Sequence, residues 1–278
     1  MRHLLLYALV LLAFYLLVRS RSQAPVPVLS PPAGELNEAD LGVGKLAPPS
    51  RRDALITIRS TIKTSSSGTA FALGGGYWLS ARHVVDGCSS LMLLAGNQSW
   101  GAVRMRGQAV SSKTSDLALV QTKRTSPAFS FAEPKDIRQN QSGFLVGFPQ
   151  GRVGEVQAKL LGRGRAVFSK RHSNSEPVLV WVETGRREGV KGTLGGISGG
   201  PIFDARGRVI GVIIAESLRR GRVYTAAPAS IRRSLAIWGL NAQSADPAGV
   251  FTSDNYILQG DYLRQAGRVV KVLCKVDP

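Results

Sequence analysis

The 278-residue sequence predicts an all-β fold preceded by one apolar N-terminal helix. Three observations carry this. Short runs rich in Val, Ile, Leu and aromatic residues alternate with Gly, Ser and Asn breaks. Glycine is abundant at 31 within a 44% hydrophobic chain. Long amphipathic helices are scarce. Many short strands with turn residues between them are what a barrel or sandwich requires.

In chain order, residues 1–22 come first. Residues 4–18 are an unbroken run of fifteen apolar residues between Arg2-His3 and the pair Arg19 and Arg21. As a helix the run spans roughly 22 Å, short of a hydrocarbon core of roughly 30 Å. It reads as a signal peptide, with Ser22-Gln23-Ala24 as a small-x-small cleavage site, or as a short signal anchor with snorkelling arginines. Either form sends the remaining chain across a membrane, and the anchor makes the membrane a partner. Residues 23–51 contain six of the fourteen prolines and little hydrophobic periodicity, the composition of an extended linker.

Chemistry enters with a serine in Gly196-Ile197-Ser198-Gly199-Gly200-Pro201. A serine hydroxyl needs a general base to take its proton and a carboxylate to hold that base in one tautomer. Glycines flanking Ser198 let the backbone fold back so that the Gly196 and Ser198 N–H groups converge as an oxyanion hole. Taken alone, such a run is equally a turn.

The scarcity of histidine narrows the base. His3 precedes the apolar segment, and His172 lies in the polar stretch Ser169-Lys170-Arg171-His172-Ser173-Asn174-Ser175, which reads as a solvated loop. His83 follows the strand-like Tyr77-Trp78-Leu79-Ser80 and opens a short Ala-Arg-His-Val-Val turn, placing its imidazole at the end of a rigid element. A satisfied core histidine is the competing assignment.

Three aspartates lie between His83 and Ser198. Asp86, three residues from His83, suits a local cap, and Asp136 lies in a Glu-Pro-Lys-Asp loop. Asp116 immediately precedes Leu117-Ala118-Leu119-Val120, an apolar strand that fixes its direction. Glu133, Glu155, Glu176, Glu183 and Glu188 are less typical orienters.

These residues sit in five segments that resemble, in order, those of the trypsin-like serine proteases, and most of all the bacterial Htr/Deg branch. They are Gly68-Thr69-Ala70-Phe71, Ala81-Arg82-His83-Val84-Val85, Ser115-Asp116-Leu117-Ala118, Val146-Gly147-Phe148-Pro149, and Gly196-Ile197-Ser198-Gly199-Gly200-Pro201-Ile202-Phe203-Asp204. The resemblance spans residues 52–239. It implies two six-stranded Greek-key barrels with the site between them, His83 and Asp116 coming from the first and Ser198 from the second. It implies a serine endopeptidase that cleaves protein or peptide substrates through an acyl-enzyme and uses no cofactor. In bacteria the N-terminal segment then implies the periplasm or cell envelope, held at the inner membrane, or secretion.

Departures from the family pattern are informative. Ile197 stands where digestive-type relatives carry the aspartate that pairs with a new N-terminus, so activation by that ion pair is unavailable. The approach Gly189-Val190-Lys191-Gly192-Thr193-Leu194-Gly195 is rich enough in glycine to switch. Residues 240–278 are too few for the peptide-binding PDZ domain of the Htr/Deg branch. Asn255-Tyr256-Ile257-Leu258 and Val269-Val270-Lys271-Val272-Leu273 have strand character. Helical spacing, Pro228 at the start and the Gly239 stop predict a helix over residues 228–238. Val223-Tyr224-Thr225-Ala226-Ala227-Pro228 resembles the family's primary-pocket strand. The resemblance makes Tyr224, Thr225 and Ala226 its lining and, with no carboxylate among them, implies a small or medium apolar residue before the scissile bond.

Two cysteines in an exported chain suggest one bridge, Cys88 to Cys274, rather than two buried thiols. Neither has the spacing of a metal ligand, so no metal is implied. The net charge is +18, and residues 152–233 hold sixteen basic against six acidic side chains. Clusters such as Arg163 and Arg165, Arg186-Arg187 and Arg219-Arg220-Gly221-Arg222 suit anionic head groups, acidic polymers or acidic substrates, or form a solvated surface. Without interleaved aromatics they do not suit nucleic acid. The remaining functional class is a catalytically silent protease-fold scaffold at the membrane, for which Ile197 and the absent PDZ domain are the motives.

Overall fold

The computed structural model describes residues 30–58, 64–96, 103–168, 175–241, 245 and 247–277. The N-terminal apolar segment and His172 lie outside these residues. The chain divides into residues 1–30 and residues 31–278, and the architecture below is that of the second unit.

The strands are β1 (Val43–Lys45), β2 (Leu55–Ile58), β3 (Ser66–Gly74), β4 (Tyr77–Ala81), β5 (Ser90–Ala95), β6 (Val103–Arg106), β7 (Gln108–Ser111), β8 (Leu117–Gln121), β9 (Arg138–Gln139), β10 (Ser142–Gly147), β11 (Gly154–Phe168), β12 (Glu176–Arg186), β13 (Pro201–Phe203), β14 (Val209–Ser217), β15 (Arg222–Ala226) and β16 (Val269–Lys275). Helices cover Glu38–Leu41, Arg82–Val85, Pro228–Ile237 and Tyr256–Gln265. This is the trypsin-like two-barrel arrangement.

The second barrel closes on itself. Its order is β10-β13-β14-β15-β12-β11, and β11 pairs again with β10 from Ser142↔Lys159 to Gly147↔Gly154. Alternation along each strand sends one set of side chains inward. Val223, Leu179, Trp181, Ile213 and Val156 fill the interior. The Trp181 Nε1–H donates to Thr225 Oγ1 at 3.0 Å, so the one polar edge of the buried indole is satisfied.

The first barrel is assembled differently. Its order is β6-β5-β16-β3-β4-β8-β7, and β6 and β7 are joined through Gly107 alone, so the curled sheet returns on itself through one bent strand. The strand between β3 and β5 is β16, from the far end of the chain, with Val270 opposite Ala70 and Val272 opposite Leu93. β2, which precedes β3 in sequence, instead pairs in parallel with β11 of the second barrel. A disulfide joins Cys88, after the His83 helix, to Cys274 on β16, with Cα atoms 5.4 Å apart.

Of the two tail segments with strand character, residues 269–273 form a strand and residues 255–258 do not. They enter the helix Tyr256–Gln265, whose buried Tyr256, Gln259, Leu263 and Arg264 follow helical spacing that a four-residue window cannot show. The predicted helix near residue 230 is present, with Pro228 at its first turn and Gly239 beyond its end at φ +73°. A chain of rings, Phe71, Phe129, Phe203, Phe251 and Phe144, with neighbouring centroids 5.0–6.1 Å apart, packs the first barrel against the second.

Candidate active site

β4 runs buried to Ala81 and the chain then turns into the helix Arg82–Val85, which Val84 and Val85 anchor in the core. His83 therefore projects from a fixed base into a cleft. β8 begins at Leu117, and Asp116 just before it is fully buried. His83 Nδ1 lies 2.6 Å from Asp116 Oδ2, and the His83 backbone N–H donates to Asp116 Oδ1 at 3.2 Å. A carboxylate accepting at Nδ1 holds the proton there and leaves Nε2 as the basic nitrogen.

Glu176 stands behind this pair. It is buried at the head of β12, and the Asp116 N–H donates to its Oε2 at 2.9 Å. Sequence reasoning passed over Glu176 as an orienter. The available signal was a carboxylate leading the apolar run Pro177-Val178-Leu179-Val180-Trp181, a position that burial makes costly unless the charge is used. Asp86, the alternative aspartate, is engaged locally: Arg82 Nε–H and the Ser111 hydroxyl both donate to it at 2.7 Å. Asp136 accepts from Arg208 at 2.9 Å.

Ser198 lines the same cleft as His83. Its loop is moored to both barrels. Thr69 on β3 donates its N–H to the Ser198 carbonyl at 2.9 Å and its hydroxyl to the Gly196 carbonyl at 2.9 Å, while accepting from the Phe148 N–H at 3.1 Å. Gly199, at φ +85°, is pressed so closely to the first barrel that a Cβ there would lie 2.2 Å from the Thr69 carbonyl oxygen. Only glycine fits both the conformation and the approach.

The glycine-rich loop before Ser198 is held at several points. Gln150, itself at φ +51°, donates its side-chain amide to the Lys191 and Thr193 carbonyls at 2.6 and 2.9 Å. Glu216 accepts from the Leu194 N–H at 2.8 Å and from the Thr193 hydroxyl. At its start, Arg187 donates to Asp261 at 2.7 Å and to buried Glu155 at 3.2 Å. Glu155 also pairs with Arg264, and burial pushes its carboxyl up against the pull of both arginines. For Asp261 burial acts upward too, but hydrogen bonds from Arg187 and Arg264 hold its carboxyl below the usual range.

Gln150 also donates its backbone N–H to the Gly195 carbonyl at 2.5 Å. In a trans peptide the carbonyl and the following N–H point opposite ways, so the Gly196 N–H is turned away from the Pro149–Gly151 turn. Among the described residues neither the Gly196 nor the Ser198 N–H has a protein acceptor. Buried or partly buried backbone donors are seldom left so. Gly195, Gly196 and Ser198 all border the cleft.

Of the residues expected in the substrate pocket, Tyr224 lines the cleft. Thr225 faces the barrel interior, where it accepts from Trp181, and Ala226 is buried in the core. Thr225 lies on the face of β15 opposite to Tyr224, toward the barrel interior.

Residues 68–212 match the trypsin-like peptidase domain. The chain belongs to that family. No curated protein gives a sequence match. Among solved structures, the inactive form of the Rv3671c protease gives a TM-score of 0.50 at 21% identity, over 62% of this chain and 83% of that one. The active form, from M. tuberculosis, gives 0.50 at 18% identity over 74% and 98%. The HtrA-type protease AlgW with a decapeptide gives 0.49 at 20% identity over 62% of this chain and 51% of that one. At these identities the likeness is one of fold. In this trypsin-like peptidase no group of three metal-ligating side chains occurs among the described residues.

Proposed function

We propose that this chain is an exported serine endopeptidase of the Htr/Deg type, its domain at residues 52–239. The observation that carries it is the His83–Asp116 pair, 2.6 Å apart with the aspartate fully buried, opening onto the cleft that Ser198 lines. Ser198 Oγ attacks the substrate carbonyl and His83 Nε2 takes its proton. Asp116 stabilises the imidazolium that forms. The N–H groups of Gly196 and Ser198 receive the oxyanion. His83 then protonates the leaving amine, and water hydrolyses the acyl-enzyme by the same route in reverse.

The cleft is about 1420 Å³, beyond the ~300–1,000 Å³ of small-ligand pockets, and so suits a polypeptide chain. In this reading residues 1–22 act as a signal peptide or an inner-membrane anchor, and the enzyme works in the bacterial periplasm or cell envelope or is secreted. No helix among the described residues is long and apolar enough to cross a membrane.

A fluorophosphonate probe tests the reading. Labelling that disappears in Ser198→Ala and in His83→Ala is the expected outcome, together with hydrolysis of internally quenched peptides. No labelling in the wild-type chain, with no hydrolysis, would leave the silent scaffold as the function.

A further inference from the structure

Arg222 and Tyr224 lie two residues apart on β15 and therefore share a face, which the pairing Val180↔Tyr224 and Val182↔Arg222 confirms. Both border the cleft that contains Ser198. The wall they form starts at the nucleophile. Gly199 N–H donates to the Ile213 carbonyl at 2.8 Å and Ile213 N–H to the Gly200 carbonyl at 2.9 Å, so β14 is bonded directly to the Ser198 loop. Beyond Ile213 the cleft residues of β14 are Ile214, Ala215, Glu216 and Ser217, and past the irregularity at Ile214 Ala215 is opposite Tyr224 and Ser217 opposite Arg222. From the Ser198 loop the wall thus runs past Ala215 and Tyr224 to Arg222, whose Cα lies about 7 Å beyond that of Tyr224 along the strand.

That guanidinium has no carboxylate partner among the described residues. Its cross-strand neighbours are Val182 and Ser217. Glu216, which also borders the cleft, is opposite Val223, and its two oxygens accept from the Thr193 hydroxyl and the Leu194 N–H. Asp86, the other carboxylate of the cleft, is paired with Arg82. Arg163 and Arg220 add two further cations to the same lining. A half-buried arginine without a counter-ion, in a wall that begins at the nucleophile, is a site prepared for an anion.

We propose that Arg222 makes the enzyme selective for substrates whose residue before the scissile bond is acidic. This rests on the endopeptidase reading above, since the side chain nearest Ser198 belongs to the residue whose carbonyl Ser198 attacks. The apolar preference implied by Tyr224, Thr225 and Ala226 is replaced because only Tyr224 of the three reaches the cleft, and Arg222, outside that set, joins it. The substrate carboxylate and the guanidinium form a charge-assisted pair, with Tyr224, Val180 and Ala215 holding the aliphatic part of the side chain.

The test uses the full-length chain and internally quenched peptides that differ only at that position, with Glu, Asp, Gln, Leu or Lys. The acidic peptides are expected to exceed the Gln peptide in kcat/KM by about 10- to 100-fold, the range of a hydrogen-bonded charge partner. Arg222→Ala removes the gap and Arg222→Glu transfers the preference to Lys. A second arm measures binding of the same peptides, amidated at the C-terminus, to Ser198→Ala, where the same order is expected. Fluorophosphonate labelling with equal rates for Glu and Gln peptides overturns the role of Arg222 and leaves the endopeptidase reading standing, as does an acidic preference that survives Arg222→Ala. Without labelling or hydrolysis the endopeptidase reading fails, and the binding arm alone decides whether Arg222 captures carboxylates.

Discussion

The two barrels are built by different means. The second closes from six strands contiguous in the chain, β10 to β15, and its ladder is complete without help from either terminus. The first, which carries His83 and Asp116, has β16 seated between β3 and β5 and tied by Cys88–Cys274 across 186 residues of sequence. The barrel that carries His83 and Asp116 therefore depends on β16. The second barrel closes from its own strands, but the loop that carries Ser198 is shaped by side chains reaching in from elsewhere.

Removing residues 266–278 is the strongest way to break that comparison. The first barrel is expected to lose hydrogen-exchange protection in β3 and β5 while β11, β12 and β15 keep theirs, and peptide hydrolysis should vanish. Retained protection in β3 would show that β16 is dispensable. Next in size is Asp116→Asn, which keeps the shape but misdirects the imidazole proton. A fall in kcat of about 10,000-fold is expected, with little change in thermal unfolding.

Replacing Cys88 and Cys274 together by serine should lower unfolding free energy by about 2–5 kcal/mol in denaturant titrations, with the loss concentrated in the first barrel's exchange rates. Equal loosening of both barrels would count against an asymmetric role. A smaller effect is expected for Gln150→Gly, which suits the φ of +51° and keeps the backbone N–H bond to Gly195 while deleting the ties to Lys191 and Thr193. On the scale of about 1 kcal/mol per net hydrogen bond, kcat should drop about tenfold with KM nearly constant. A change confined to KM would mean that the clamp serves substrate binding instead.

The smallest effect concerns Asp261. Its carboxyl sits below the ordinary range in the folded chain, so its contribution to stability is complete above the unfolded value near 3.9 and is lost as the pH falls through the folded value. Urea midpoints measured from pH 5 down to pH 2 should fall less steeply in Asp261→Asn than in the wild type. Parallel slopes would remove the pairing with Arg187 and Arg264 from the account of loop stability.

What could be read without coordinates was local in character. His83 at the end of an apolar strand, Asp116 at the start of another and Ser198 among glycines each carry their signal within a few residues. The supports around them do not. Thr69 carries only a strand signal, yet its amide and hydroxyl tie the Ser198 loop to the first barrel. Glu176 lies sixty positions from Asp116, whose N–H it accepts. Residues 255–258 look like a strand because a short apolar run has no resolvable period, and only the packing of Leu263 and Arg264 further on makes the segment helical.

Alone, the amino-acid order determined the all-β class, the family and the residue types able to run acyl transfer, because hydrophobic period, turn chemistry and the glycines around Ser198 act over distances of a few residues. Tertiary structure decided which strand completes the first barrel, which carboxylate backs Asp116 and that Arg222 joins Tyr224 on the cleft face while Thr225 turns to the barrel interior. Those outcomes depend on contacts between residues far apart in the chain and on which face of a strand is buried, and no local pattern encodes either.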